Sequence, residues 1–152
     1  DTPVGQLYSR NNLFIGGPGA TTGGYSSGAG NVMQLATVVT ATADINYDAF
    51  GSTLGTFAGN YAGTNFTSLT QLRSISTEKN AVQVDLSVFA NTIALPTAAL
   101  TLFAKPDLRL RSGGGAENVG VAIPNVNDGY SGAAPDAGAY EVGAPLPVYG
   151  PR

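Results

Sequence analysis

Four charged residues at alternating positions offer the first candidate chemistry: Lys105, Asp107, Arg109 and Arg111. Because side chains alternate between the two faces of a β-strand, these four would share one face of a strand. A row of cations can hold an acidic polysaccharide, and β-elimination uses such groups to remove the proton beside a uronate carboxylate and to stabilise the enolate. We therefore predict a substrate-binding role for Lys105, Arg109 and Arg111. The alternative is a solvated strand face in which Asp107 pairs with Arg109.

A second alternating set carries oxygen ligands: Asp44, Asn46 and Asp48. On one strand face these side chains could bind calcium, which would neutralise the carboxylate of an acidic substrate. Calcium takes about six to eight oxygen atoms, and nothing in the sequence fixes the remaining ligands. The alternative is that the three side chains cap turns. Calcium is the only cofactor that the sequence suggests.

Five further acidic residues are candidates for the paired carboxylates of a glycosidase: Glu78, Asp85, Asp128, Asp136 and Glu141. Glycoside hydrolysis needs two carboxyl groups at a defined separation. No spacing selects two of these five, so no catalytic residue is predicted. Asp136 and Glu141 are expected instead to anchor the C-terminal tail through hydrogen bonds to backbone amides.

Composition excludes several classes of function. The chain has 152 residues, enough for one domain with a hydrophobic core. It contains no Cys and no His, which excludes zinc sites of those residues, cysteine nucleophiles and a Ser-His-Asp triad within this chain. A net charge of −3 argues against nucleic acid as a partner. A membrane span needs about 20 apolar residues. No apolar run in the sequence approaches this length, so no membrane span is predicted.

A content of 21 Gly and 9 Pro favours a β-protein with many turns. Only one helix is predicted, in which Thr67 or Ser68 caps a short segment with Leu69, Leu72 and Ile75 on one face. Strand patterns and a glycine-rich loop account for most of the rest: strands in 31–42, 44–50, 81–89, 93–104 and 105–111, and the loop in 16–30. Two architectures fit these elements, a β-sandwich and the coils of a parallel β-helix.

The C-terminal stretch distinguishes these two architectures. Residues 125–141, NVNDGYSGAAPDAGAYE, resemble the closing segment of bacterial right-handed parallel β-helix proteins of the pectate-lyase-like group. Three upstream segments resemble motifs of the same group in the expected order: 11–14 (NNLF), 44–50 (DINYDAF) and 106–110 (PDLRL). Residues 112–120 and Ala137 depart from the group's pattern, and this departure implies a looser last coil.

The resemblance implies an all-β fold made of the last few coils of a right-handed parallel β-helix, an irregular C-terminal tail and one short helix. Residues 1–111 are expected to form the coils with their long loops. Residues 112–152 are expected to form the Gly- and Pro-rich closing segment. The side chains expected in the core are Val38, Leu86, Phe89, Leu108 and Leu110.

For function, the resemblance implies the C-terminal segment of a secreted or cell-surface protein that binds or acts on polysaccharide. Any catalytic groove would then lie mostly on coils that are not in this chain. Such an enzyme would be a polysaccharide lyase or a glycoside hydrolase. The alternative is a non-catalytic structural, adhesive or filament-forming surface protein, or an accessory subunit that stacks through its N-terminal coil.

The leading coil of such a helix, from Val4 to Ile15, would present an unpaired backbone edge. Residues 1–3 are too short to fold over a coil, and Arg10 is the only charge in this segment. Unpaired strand edges add further strands. We therefore expect Val4 to Ile15 to contact earlier coils of the same gene product or another protein chain.

Overall fold

A computed structural model describes residues 2–17, 21–22, 25–26, 30–94 and 105–146. Within these residues the chain consists mostly of short strands with one short α-helix, so the fold is broadly all-β. No helix in these ranges is long and apolar enough to cross a membrane. The elements are β1 (Leu7–Arg10), β2 (Leu13–Gly16), β3 (Thr21–Thr22), β4 (Tyr25–Ser26), β5 (Asn31–Leu35), β6 (Ala43–Asn46), β7 (Ala49–Ser52), β8 (Ala58–Tyr61), β9 (Thr64–Phe66), α1 (Leu69–Ile75) and β10 (Val82–Val84).

Parallel pairing between successive passes of the chain is the dominant feature of the strands. Strand β1 pairs with β6, β2 with β7, β7 with β10 and β5 with β8, all in parallel. Leu7 lies opposite Ala43 and Leu13 lies opposite Ala49, so both pairs are 36 residues apart. The chain therefore passes twice along the same path, one level above the other, and β10 adds a third strand below β7. Antiparallel pairing occurs in two short hairpins, β3–β4 and β8–β9.

A sharp corner separates the strands within each level. Asn11, between β1 and β2, has φ 58°, and Tyr47, between β6 and β7, has φ 62°. These two residues are also 36 positions apart, so the same left-handed turn recurs at both levels. The turn breaks the single strand that alternation predicts over 44–50. Asn46 stabilises the corner because its side-chain oxygen accepts the N–H groups of Tyr47 and Asn80.

The helix prediction is confirmed. Helix α1 begins after Ser68, whose hydroxyl accepts the N–H of Gln71 at 3.2 Å. This bond satisfies one of the amides that a helix leaves without a partner in its first turn. Leu72 is buried, while Leu69 and Ile75 pack against the same core at its margin. The three apolar side chains therefore form the buried stripe that their spacing predicts.

Two other strands are shorter in the structure than the sequence predicts. The pattern over 31–42 forms a strand only as far as Leu35 and continues into a 3₁₀ turn at Thr40–Thr42. The pattern over 81–89 forms β10 and then a 3₁₀ turn at Leu86–Val88, since the Asp85 carboxylate accepts the N–H of Ser87 and bends the chain. Most of 93–104 lies outside the described residues.

The strand predicted over 105–111 is wrong. The described residues 105–109 have no regular structure, and Leu110 forms an isolated antiparallel bridge with Phe89. The Asp107 carboxylate accepts the backbone N–H of Arg109 at 3.1 Å, which turns the chain locally. Side chains no longer alternate between two faces, and Leu108 is consequently 42% exposed.

The core predictions are met only in part. Phe89 and Leu110 are buried, Val38 and Leu86 are half-buried, and Leu108 is exposed, as described above. Two clusters make up the core. One is centred on Ile45 and Phe50 and includes Leu72 of the helix, and the other joins Ala49 and Leu110 to the tail through Ala116 and Ala137.

The tail, residues 112–146 of the described chain, contains no helix and no strand. Side-chain hydrogen bonds hold it in place. Asp136 accepts the N–H of Asn118 and the N–H of Val142, and Glu141 accepts the N–H of Asp136. The prediction that Asp136 and Glu141 anchor the tail through backbone amides is therefore confirmed.

Candidate functional site

The upper end of the stack of strands is open, and β6 and β10 likewise pair on one side only within the described residues. Strands β1, β2 and β5 form the upper level, and each pairs with a neighbour on one side only within the described residues. Every second residue of such a strand directs its N–H and C=O groups away from the paired side. Large apolar side chains are exposed along this level, among them Tyr8 at 63% and Phe14 at 42%. We call this surface the open end.

A cavity of about 290 Å³ lies inside the open end. Its wall is mostly apolar, and the Phe14 ring stacks on Phe50 one level below, with centroids 5.4 Å apart. The lining residues come from β1, β2 and β5 and from the level beneath: Leu7, Ser9, Phe14, Val32, Met33, Gln34, Leu35, Ile45, Asp48, Phe50 and Glu78. Two of these side chains are carboxylic acids.

Asp48 follows the corner of the second level and is almost fully buried. Its carboxylate accepts three hydrogen bonds from the level above: the Ser9 hydroxyl at 2.6 Å, the Asn12 backbone N–H at 2.8 Å and the Asn12 side-chain amide at 3.0 Å. Asn12 lies one position before the strand that pairs with β7, directly above Asp48. These bonds fasten the two levels together at the corner.

Glu78 is the second acid and lies beside Asp48. It is fully buried, and its hydrogen-bond partner is Asp48, through both the carboxyl group and the backbone N–H of that residue. Burial raises its pKa to about 9, and the adjacent Asp48 carboxyl adds to this increase. Glu78 is therefore protonated at neutral pH. Its burial follows from its neighbours, since the Thr77 hydroxyl accepts the N–H of Ile45 and holds this segment against β6.

The charge of Arg10 acts on Glu78, but the Arg10 guanidinium is bound to other partners. It forms an ion pair with Asp44 at 2.7 Å and lies over the Tyr8 ring at 4.5 Å. Its remaining hydrogen bonds go to the backbone oxygens of Ser9 and Asp44. Within the described chain, Asp48 and Glu78 thus have no cation paired to them.

The predicted calcium residues do not share a face. Asp44 points outward to Arg10, Asn46 serves the corner, and Asp48 points inward to the cavity. The left-handed turn at Tyr47 separates Asp48 from the other two, so the premise of a single strand face is wrong. Within the described residues no group of three or more Asp, Glu, His or Cys side chains could hold a metal ion.

The predicted cationic row is also divided. Lys105 and Arg109 line a shallow depression of about 290 Å³ together with Tyr140, and Arg111 is not part of its lining. The Arg109 guanidinium donates to both oxygens of Asp107 and lowers the pKa of that carboxyl to about 2. This is the Asp107–Arg109 pairing that the sequence offered as the alternative.

Sequence reasoning missed that Asp48 and Glu78 come together. They are 30 residues apart and belong to different predicted sets, one of calcium ligands and one of glycosidase acids. Glu78 lies in the polar segment 76–80 (STEKN), which is typical of an exposed turn. Only the repeat distance between successive levels, which becomes visible once the strands are paired, places the two acids at the same corner.

This chain has no match among protein-family models, curated proteins or solved structures. Its function is therefore inferred from its own geometry. The open end combines unpaired strand edges, exposed apolar side chains and a cavity with two buried acids. No other region of the described chain combines these three properties.

Proposed function

We propose that this chain is a module of a right-handed parallel β-helix and that its open end binds a further coil of the same polypeptide. The observation that carries the proposal is that β1, β2 and β5 all leave one side unpaired around a single apolar opening. Backbone groups without a partner recruit another strand, and an apolar opening gains free energy when it is covered.

The repeating register supports a β-helix. Two levels follow the same path at a spacing of 36 residues, and both turn their corner with a left-handed residue. Parallel strands joined by a crossover in one sheet are almost always connected in the right-handed sense. Stacked coils bury their open faces only against their neighbours, so a further coil would stabilise the upper level.

The pairing also supports an additional coil in the same polypeptide. Val4 forms a parallel bridge with Val38, and the Val4 N–H donates to the Thr37 oxygen at 3.0 Å. The chain thus enters the first level directly above the point where it enters the second. A coil above Val4 would be joined by the same short connection that joins β5 to Val38, with no new loop.

A tandem insertion tests this proposal. A second copy of residues 4–37, inserted between Pro3 and Val4, should add one level, and the same residues in scrambled order serve as the control. We expect backbone amides of β1 and β2 to exchange with solvent at least 100-fold more slowly in the tandem protein than in the parent. Equal exchange in the tandem and scrambled proteins would contradict the proposal.

In the resembled group, such a module belongs to a secreted or cell-surface protein that binds or acts on polysaccharide, and we extend this to the chain as a second candidate function. The observation that favours it is the depression lined by Lys105, Arg109 and Tyr140, in which Asp107 holds the Arg109 guanidinium in place and Lys105 has no ion-pair partner within the described chain. Cations can pair with the carboxylates of an acidic sugar chain, and an aromatic ring can pack on a sugar face.

Titration with oligogalacturonate tests the second candidate. The double substitution Lys105→Ala with Arg109→Ala should weaken binding at least tenfold, and Arg111→Ala is the matched control because Arg111 lies outside the depression. Binding should also weaken as salt concentration rises. Equal losses in the double variant and in the control would show that the depression is not the binding site.

A further inference from the structure

The turn at residues 76–80 (STEKN) covers the lower edge of β6. In the part of the chain that the structure describes, β6 pairs only with β1 above it, and below it the Ile45 N–H donates to the Thr77 hydroxyl at 2.9 Å. The Asn80 N–H binds the side-chain oxygen of Asn46 at 2.7 Å, which fastens the far end of the turn to the same strand. A loop along a strand edge prevents that edge from pairing with another strand. Side-chain oxygens thus hold this cover in place.

The side chains of the turn divide between solvent and interior. Thr77, Lys79 and Asn80 are exposed, whereas Glu78 between them is fully buried. Glu78 lines the same cavity as Ile45, a residue of the strand that the turn covers. The residue that the turn sends into this cavity is therefore an acid, and whether the turn stays closed depends on the protonation of that acid.

The hydrogen bonds of Asp48 place the proton of the acid pair on Glu78. Both oxygens of Asp48 already accept donors from the level above, the Ser9 hydroxyl on one and the Asn12 N–H on the other. A hydrogen bond between two carboxyl groups needs one proton, and two carboxylates do not both ionise side by side in an apolar cavity. Glu78 therefore carries the proton and donates it to Asp48. This bond keeps the turn closed.

The other charged and titratable groups around Glu78 do not take over the role of this proton. They are Arg10 with Asp44 on β1 and β6, Tyr61 on β8, Arg73 on α1, and Lys79 in the turn itself. Arg10 acts on Glu78 but is held in its ion pair. The pKa of Tyr61 is raised by burial and by Glu78, so its hydroxyl stays neutral at pH 9. Arg73 and Lys79 donate to backbone oxygens.

We propose that the 76–80 turn is a proton-dependent cover, which closes over the lower edge of β6 while Glu78 is protonated and opens when Glu78 loses its proton. The proton passes to a base in the solvent, and the new carboxylate leaves the apolar cavity for water, taking the turn with it. The opened edge of β6 can then pair with an additional strand. This inference goes beyond docking at the open end and does not require it, because it concerns the opposite edge.

The direction of the pH dependence follows from the two states of Glu78. In the open turn the carboxyl group is in water and has its ordinary pKa of 4.5, whereas in the closed turn burial raises the pKa to about 9. Opening is therefore independent of pH below about 4.5. It becomes about tenfold more favourable with each pH unit up to about 9 and is constant above that value.

Amide hydrogen exchange of Ile45, followed by NMR, tests the inference because the turn covers this N–H. After correction for the intrinsic exchange rate, the protection of Ile45 should fall about tenfold per pH unit between pH 5 and 8. Low concentrations of urea should leave it nearly unchanged, since opening a short turn exposes little surface. The N–H of Asn118, which Asp136 holds in the tail, serves as the reference for unfolding of the whole chain.

Glu78→Gln keeps the shape of the side chain and removes its ability to ionise. In this variant the protection of Ile45 should not depend on pH, and at pH 8 it should exceed the wild-type value at least 100-fold. Asp128→Asn, at an exposed acid of the tail, is the matched control and should retain the wild-type slope.

Three outcomes would overturn the inference. They are a wild-type Ile45 protection that does not change with pH, an equal slope in Glu78→Gln, and identical responses of Ile45 and Asn118 to both pH and urea. The last would show that the chain unfolds as a whole and that the turn does not open separately. The tandem insertion reports on β1 and β2 and tests the docking function independently.

Discussion

Two buried carboxyl groups, one in the tail and one at the open end, have opposite surroundings. Asp136 is 3% exposed and accepts backbone N–H groups from Asn118 and Val142. Glu78 is fully buried, and its hydrogen-bond partner is a second buried acid, Asp48. Burial alone therefore does not indicate the role of an acid. An acid whose carboxylate accepts N–H groups from two segments holds the fold together, whereas an acid buried beside a second carboxyl group keeps its proton and makes stability depend on pH.

The packing around these acids differs in the same way. Ala137, next to Asp136, is fully buried in a cluster that joins the tail to Ala49 and Leu110. At the open end Phe14 stacks on Phe50 on one side and is exposed on the other. The tail thus covers its apolar side chains, whereas the open end leaves part of its apolar surface exposed. Substitutions should affect the two regions differently.

The largest effect is expected from Asp136→Asn. The amide offers only one oxygen and presents an N–H₂ group where the second backbone N–H now donates, so a buried donor loses its acceptor. We expect a loss of about 3 kcal/mol in the free energy of unfolding, measured by urea denaturation. Asp128→Asn, at an exposed carboxylate that also accepts a backbone N–H, should cost less than about 1 kcal/mol. Similar losses in both variants would contradict the comparison.

Glu78→Gln should have the next largest effect, in the opposite direction. The pKa of Glu78 is raised from 4.5 to about 9, so the folded state keeps a proton that the unfolded state releases. The stability that this proton provides is complete below pH about 4.5 and is lost as the pH rises toward about 9. At pH 7 we expect the variant to be about 3 kcal/mol more stable than the wild type, and the two to be similar near pH 4.5.

Urea denaturation at pH 4.5, 7 and 9 measures this difference. Asp107 and Asp85 have lowered pKa values, so both are ionised throughout this range and do not contribute to the slope. Asp128→Asn should retain the slope of the wild type. If the free energy of unfolding of the wild-type protein did not change between pH 4.5 and 9, the contrast between Glu78 and Asp136 would be contradicted.

Ala137→Leu tests whether the tail is as tightly packed as its burial indicates. The resemblance implied a looser closing segment, since bulkier aliphatic residues are usual at this position. In the structure Ala137 is fully buried, so added methylene groups should force neighbouring side chains to shift. We expect a loss of about 1.5 kcal/mol in the free energy of unfolding. A gain in stability would show that the tail has unfilled space.

Phe14→Leu should have the smallest effect on the chain by itself. Because the Phe14 ring is already 42% exposed, the shorter side chain should cost less than about 1 kcal/mol in unfolding free energy. In the tandem protein the ring would be covered on both sides, and there we expect the same substitution at this position to cost at least about 2 kcal/mol. Equal costs in the two proteins would indicate that the open end does not bind a further coil.

Local sequence predicted the elements that depend on neighbouring residues. The helix followed from Ser68 and the spacing of Leu69, Leu72 and Ile75. The anchoring role of Asp136 followed from its place in the closing segment that resembles the β-helix group. The strand over 44–50 was wrong because alternation cannot reveal a left-handed turn at Tyr47. The strand over 105–111 was wrong because Asp107 bonds the Arg109 amide two residues away and turns the chain.

The sequence by itself determined a β-rich chain without Cys or His, one capped helix and a tail held by carboxylates. Only the tertiary structure decided which acids meet. Asp48 and Glu78 are 30 residues apart in the sequence. They meet in an apolar cavity because successive passes of the chain stack in parallel, and the register of these passes is set by long-range pairing rather than by local propensity. The proton on Glu78 follows from that environment, because the free energy of a buried charge depends on the dielectric and the donors around it and not on its place in the sequence.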